Sequence, residues 1–201
     1  TGLISLGSVV RIHSPLPFKK VIKKYLQNIF KNITYGIFKL LYGSINSSIK
    51  PFDDKRILLE KTLISENLSY KIFSALDSRL YTDRIHDTAI IIDNKIVEGP
   101  SFQLRKNHAN SKISDNIVFK KGTPRFLRKL NGSVLSLLTG GGGNSTYWHW
   151  IFDVLPRLKI CENVKDINSI NYFLFPDLKK NFQRETLKIL GFSDTKILSS
   201  V

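Results

Sequence analysis

His149, Asp153 and Arg157 stand four residues apart in Tyr147-Trp148-His149-Trp150-Ile151-Phe152-Asp153-Val154-Leu155-Pro156-Arg157-Leu158, a run that is otherwise almost wholly apolar. At about 100° per residue, two i,i+4 steps keep the three within an arc of about 80°, so a helix would carry them as one polar stripe. An imidazole, a carboxylate and a guanidinium are the groups of proton transfer and of anion stabilisation. Their neighbours are Trp148, Trp150, Ile151, Phe152, Val154, Leu155, Leu158 and Ile160, and a helix apolar on nearly every side belongs in an interior. Burying three ionisable groups there costs several kcal/mol unless they pair or line a cleft. The stripe therefore reads as a functional site. The plain alternative is a structural network, an Asp153–Arg157 ion pair with His149 bonded to a backbone carbonyl.

Other chemistries fit less well. Ser145, His149 and Asp153 have the residue types of a hydrolase triad, but successive i,i+4 steps on one helix do not aim a serine at its base, and the second glycine of a nucleophile elbow is missing. His13, His86 and His108 stand in segments without ligand spacing, so no metal site is expected. Gly140 to Gly143 precede the stripe, where backbone N–H groups and a helix start favour an anion. They match neither the dinucleotide-binding fingerprint nor the Walker loop. A flexible turn that lets a bulky ligand approach is an equal reading. Cys161 reads as core rather than nucleophile.

The elements that must position the stripe follow on both sides. Val134 to Leu138 reads as a strand, Gly140 to Asn144 as a loop and Tyr147 to Glu162 as a helix. Tyr172 to Phe175 is a second strand, Asp177 a cap for a helix over Leu178 to Leu190, and Lys196 to Leu198 a third strand. Strand, helix, strand, helix, strand is the order of a parallel sheet with crossover helices. Upstream, past Pro51, strands and helices are expected to alternate. His86 to Val97 reads as a hairpin turning at Asp93-Asn94-Lys95, residues 106–114 as a polar loop and Ile117 to Phe119 as a short strand.

Composition bounds the remaining possibilities. With 42% apolar and 11% aromatic residues among 201, the chain can bury a core, which excludes a disordered or collagen-like class. Thirty-one basic against sixteen acidic side chains leave +15, a balance suited to anionic partners. Eight of the basic residues and none of the acids lie in residues 1 to 50. Within them Phe18 to Phe38 has a helical pattern: Val21, Ile22, Tyr25, Leu26, Ile29, Phe30 and Ile33 on one arc, Lys20, Lys23, Lys24 and Lys31 on the other. Such a basic amphipathic helix docks on an anionic membrane surface, or packs on its own domain with a solvated lysine face. No run reaches the ~20 apolar residues of a membrane span, and no signal-peptide pattern is present. Nucleic acid is not expected as a partner, because the lysines lack interleaved aromatics. One cysteine permits no internal disulfide and suits a reducing compartment, so the expected location is the cytoplasm, peripheral on the membrane. A start at Thr1 and the absence of methionine read as a fragment.

Asn144-Ser145-Thr146-Tyr147-Trp148-His149-Trp150-Ile151-Phe152-Asp153-Val154-Leu155-Pro156-Arg157-Leu158 resembles the N-Y-x-H-W-x-x-D-x-L-P-R-L signature of the family 61 glycosyltransferases. That group includes plant xylosyl- and arabinosyltransferases, animal protein O-linked GlcNAc transferases and bacterial capsular polysaccharide enzymes. Arg184 to Gly191 resembles the helix that follows in that family, and the likeness covers about residues 80 to 201. It implies an α/β fold: the Rossmann-like amino-terminal half of a GT-B enzyme, a parallel sheet with flanking helices over residues 61 to 201, behind a basic segment over residues 1 to 60. It implies an inverting, metal-independent transfer from a nucleotide sugar to a glycan or other hydroxyl acceptor in polysaccharide biosynthesis, with no cofactor beyond the donor. The donor would be held mainly by a second domain outside this sequence, so the fragment alone is expected to be inactive. His149 and Asp153 would be catalytic, either one as the base. Asn144, Tyr147, Trp148, Arg157, Gly142 and Gly143 would bind substrate. Ser145 and Thr146 lengthen the spacing from Asn144 relative to the family pattern. A different class, a non-catalytic basic module for membrane phosphates or nucleic acid, stands beside this reading.

Overall fold

A computed structural model describes residues 18–65, 68–83, 85–105 and 111–199. His13, His108 and residues 106–110 of the expected polar loop lie outside them, as do the side chains of residues 18–20. The chain is a mixed α/β protein. Helix α1 (Phe18–Tyr42) leads into β1 (Ser47–Ile49), β2 (Ile57–Ser65), β3 (Leu68–Ala75), β4 (Arg79–Thr82), β5 (Asp87–Ile92), β6 (Lys95–Val97) and β7 (Phe102–Gln103). After these come α2 (Val118–Lys121), β8 (Val134–Ser136), α3 (Tyr147–His149), α4 (Leu155–Glu162), β9 (Tyr172–Phe175), α5 (Asn181–Ile189) and β10 (Ile197–Ser199).

The carboxy-terminal part follows the expected order. β8, β9 and β10 form a three-stranded sheet, parallel throughout, with β9 in the centre. Leu137, Trp150, Val154, Leu158, Phe173, Phe175 and Leu187 fill one core beside it. Two boundaries differ from expectation. The last helix begins at Asn181, after Lys180, so Asp177 does not cap it; Asp177 is buried, 3.4 Å from Lys179 Nζ. Ile117 to Phe119 is not a strand, because Val118 opens the single turn of α2. Asn116 Oδ1 accepts its N–H, and the turn closes on Gly122 at φ +65°, a conformation that costs glycine little.

The upstream part is all strand between residues 57 and 103 and does not alternate with helices. β1, β6, β5 and β4 lie side by side, β7 adds to β5, and only the β1–β6 pair is parallel. β2 and β3 make a separate antiparallel pair. The expected hairpin is β5–β6; Asp93 and Asn94 turn it with φ of +47° and +60°, the left-handed pair that matches strand twist. β1 joins residues before 60 to this sheet, and Ile45 is buried with Ala89, Ile91 and Ile96.

Helix α1 runs one turn beyond its expected end and stops at Gly43, φ +83°. Its last turns meet the domain through Phe38, whose ring packs edge-on to Phe126 at 5.1 Å between centroids, and through Tyr42, whose hydroxyl accepts the Leu127 N–H. Among the described residues no helix is long and apolar enough to cross a membrane.

Candidate active site

The segment from Tyr147 to Glu162 is a continuous helix with a defect in its middle: α3, then a π turn over Trp150–Val154, then α4. The cause is Pro156, in the first turn of α4. In a regular helix its ring would strike the carbonyl of Phe152, and it has no N–H to donate. The chain widens instead, and the Leu155 N–H reaches back five residues to Trp150 O. A π turn takes up one extra residue. That retracts most of the ~80° drift between His149 and Arg157 that two α-helical steps would leave.

The stripe is a connected set. His149 Nδ1 and Asp153 Oδ2 are 2.5 Å apart, and Arg157 Nη2 lies 3.9 Å from Asp153 Oδ1. An ionised carboxylate can only accept, so Nδ1–H is the donor of this bond. Nε2 makes no hydrogen bond among the described residues. Arg157 Nη1 donates to the carbonyls of Leu137, at 3.0 Å, and Thr139, at 2.6 Å, where the chain leaves β8. Burial pulls the guanidinium below its usual pKa and the Asp153 charge opposes that; an arginine stays charged regardless. The Asp153–Arg157 ion pair of the structural alternative is thus present, but its other half is not: the carbonyls bond Arg157, and His149 bonds the carboxylate.

The helix is not interior. Side chains of His149, Asp153 and Arg157 are 34, 32 and 33% exposed. Trp150, Val154 and Leu158 are buried, while Tyr147, Trp148 and Phe152 face outward. The reason is that β8 to β10 give this helix one sheet face to cover, which takes only one side of it. Trp148 leans on Phe152 at 4.2 Å between ring centroids, and Tyr147 meets Phe182 edge-on at 5.1 Å.

Gly140 to Gly143 form a tight 3-10 turn whose packing shows why the run is glycine. A Cβ on Gly141 would lie 2.4 Å from Asp153 Oδ2 and 2.6 Å from His149 Nδ1. One on Gly142 would lie 2.1 Å from Leu137 O and 2.3 Å from Arg157 Nη1. The turn is pressed against the stripe rather than left open for a ligand. Gly142 and Gly143 are buried. Asn144 turns its side chain to the backbone, Oδ1 accepting the Thr146 N–H at 3.1 Å, and so leads the chain into the helix. The structure therefore gathers His149, Asp153, Arg157 and Gly142, sets Tyr147 and Trp148 on the exposed flank, and gives Asn144 and Gly143 to the turn.

Gly141 is the contact that sequence reasoning missed. Four identical residues carry no signal of which one touches the dyad. Cys161 is buried and its thiol is pushed up by desolvation, which suits a core residue. Among the described residues no group of histidine, cysteine, aspartate and glutamate could hold a metal ion. Comparison of the chain with family models, with curated proteins and with solved structures gives no match in any of the three.

Proposed function

We propose that the chain is the Rossmann-like amino-terminal half of a GT-B glycosyltransferase that moves a sugar from a nucleotide donor to a hydroxyl acceptor with inversion and without a metal. The observation that carries this reading is the His149–Asp153 pair at the head of the helix that follows β8. It stands beyond the carboxyl end of a parallel strand, where open α/β sheets bind their ligands. Asp153 holds the ring so that Nδ1–H is committed and Nε2 points its lone pair away from the carboxylate. In the proposed step Nε2 takes the acceptor proton as the oxygen attacks the anomeric carbon and the nucleotide diphosphate leaves. Arg157 keeps positive charge behind Asp153, and the resemblance of residues 144–158 to the family 61 signature supports the same assignment. Tyr147, Trp148 and Phe152 offer apolar ring faces beside the base, suited to the C–H faces of a sugar. Acceptor glycan and polysaccharide biosynthesis belong to this proposal.

The test is His149→Ala in the enzyme together with its donor-binding half. Turnover per folded molecule should fall at least ~100-fold, the usual cost of losing a general base, with a far smaller effect on the melting temperature, because Asp153 keeps Arg157 as its charge partner. Asp153→Asn should lose activity similarly and also some stability, since Arg157 then lacks its nearby charge. Full specific activity in folded His149→Ala would end the assignment.

A further inference from the structure

Helix α1 turns its apolar face away from the protein. Every residue from Val21 to Ile33 is exposed, Phe30 at 71%, and Leu40 further along is 88% exposed. At about 100° per residue, Ile22, Leu26, Ile29, Ile33 and Leu40 fall within about 60° of one another. Phe38 and Tyr42, which meet the domain, lie roughly opposite, on the side of Lys24 and Lys31. The domain therefore sits on the lysine side of the helix, and the packed-helix reading, with its lysine face in solvent and its apolar face on the core, does not describe it.

The charge beside that face is of one sign. Residues 18 to 50 contain no acid. A cleft of about 270 Å³ between α1 and α2 is lined by Lys31, Lys120 and Lys121 with Asn28 and Asn32, and among the described residues no carboxylate lines it. Lys121 Nζ stands 5.9 Å from the centroid of the Tyr35 ring, so its charge is held at the helix. An apolar stripe of this length with lysines on the opposite arc is complementary to a lipid bilayer with anionic headgroups, and its orientation is fixed by where the domain sits. We infer that α1 lies in the plane of an anionic membrane surface, with Ile22, Leu26, Ile29, Phe30 and Ile33 among the acyl chains, and Lys24, Lys31, Lys120 and Lys121 at headgroup level. The domain then rides on the membrane's aqueous side. The inference stands on α1 and α2 alone and is independent of the transferase reading.

Cosedimentation with two kinds of vesicle tests it: phosphatidylcholine alone, and phosphatidylcholine with phosphatidylglycerol in equal parts. Binding to the mixed vesicles should be at least about tenfold tighter and should weaken as salt rises. Leu26→Glu with Ile33→Glu should abolish it. Lys24→Glu with Lys31→Glu should weaken it at least about tenfold, given about 1 kcal/mol for each lysine at such a surface. Phe30→Trp should shift its emission to the blue on the mixed vesicles only. All five positions are exposed, so an unchanged circular dichroism melt separates loss of docking from loss of fold. Equal affinity for both vesicles, or binding that Leu26→Glu with Ile33→Glu leaves intact, overturns the inference. So does a dimer in light scattering that this double variant dissociates while the wild type ignores vesicles, since the apolar face would then belong to a second copy.

Discussion

Helix α1 leaves a long apolar stripe uncovered, while the helix from α3 to α4 buries Trp150, Val154 and Leu158 and keeps a polar stripe half open. Both have helical periodicity. The difference lies in what each offers on its other side. In α1 the opposite arc ends in Phe38 and Tyr42, which supply enough ring surface to seat the last turns, so the domain takes the arc that carries the lysines. In the α3 to α4 helix the apolar residues surround the polar ones, and the sheet takes the side on which Trp150, Val154 and Leu158 follow one another, leaving Trp148 and Phe152 outside. An amphipathic pattern thus says that two faces differ. Which of them meets the core is decided by the partners the rest of the chain supplies, Phe126 for α1 and the sheet of β8 to β10 for the other helix.

Breaking the comparison is most direct at its two phenylalanine-sized extremes. Trp150→Ala should cost about 4 kcal/mol, whereas Phe30→Ala should cost under about 0.5 kcal/mol, both read from denaturant unfolding. A matching loss at Phe30 would mean that the exposed stripe is covered after all. Gly142→Ala should come next, at about 3 kcal/mol, because its Cβ would meet the fixed carbonyl of Leu137 as well as the Arg157 guanidinium. Serine there should be at least as costly.

Arg157→Lys sharpens the contrast within the stripe. A lysine keeps the charge but not the planar fork, so the bonds to Leu137 O and Thr139 O should weaken. Unfolding should register about 1 kcal/mol. The smallest expected effect lies outside both helices. Arg56 beside Asp54 holds that carboxyl down at about 2 against an ordinary 3.8. Its stabilising contribution is present above pH ~4 and is lost as pH falls through about 2. Asp54→Asn should therefore lower the melting temperature slightly above pH ~4 and leave it unchanged below about pH 2, which flattens the acid limb of the titration.

The strand and helix order from β8 to β10 was legible because each piece is announced locally, by β-branched and aromatic runs, by the glycines after β8 and by Gly191 after α5. Strands β2 to β4 were not. Ile57-Leu58-Leu59-Glu60-Lys61-Thr62 sets three apolar residues beside one charged pair and follows neither a period of two nor one of 3.6, so its pairing with β3 rests on contacts that no single segment encodes. The same holds for β1, whose parallel partner β6 arrives more than forty residues later. At the site, residue types were visible but their bonds were not: that Arg157 would bind carbonyls and His149 the carboxylate depends on where β8 ends. The outward turn of Trp148 and Phe152 was hidden for a similar reason, since hydrophobicity alone does not reveal how much of a helix one small sheet can cover.

The wide turn ahead of Pro156 has an evolutionary corollary. Deleting the codon of Ile151 or Phe152 and replacing Pro156 would let the helix close to its ordinary pitch while retaining every member of the stripe. His149 would then stand seven residues before Arg157 in a regular helix, within about 20° of it about the axis, close to where the wide turn already holds the two. The wide turn thus admits Pro156 without rotating the stripe, and a lineage could gain or lose that turn in one insertion or deletion while the side chains proposed to do the chemistry stay on one face.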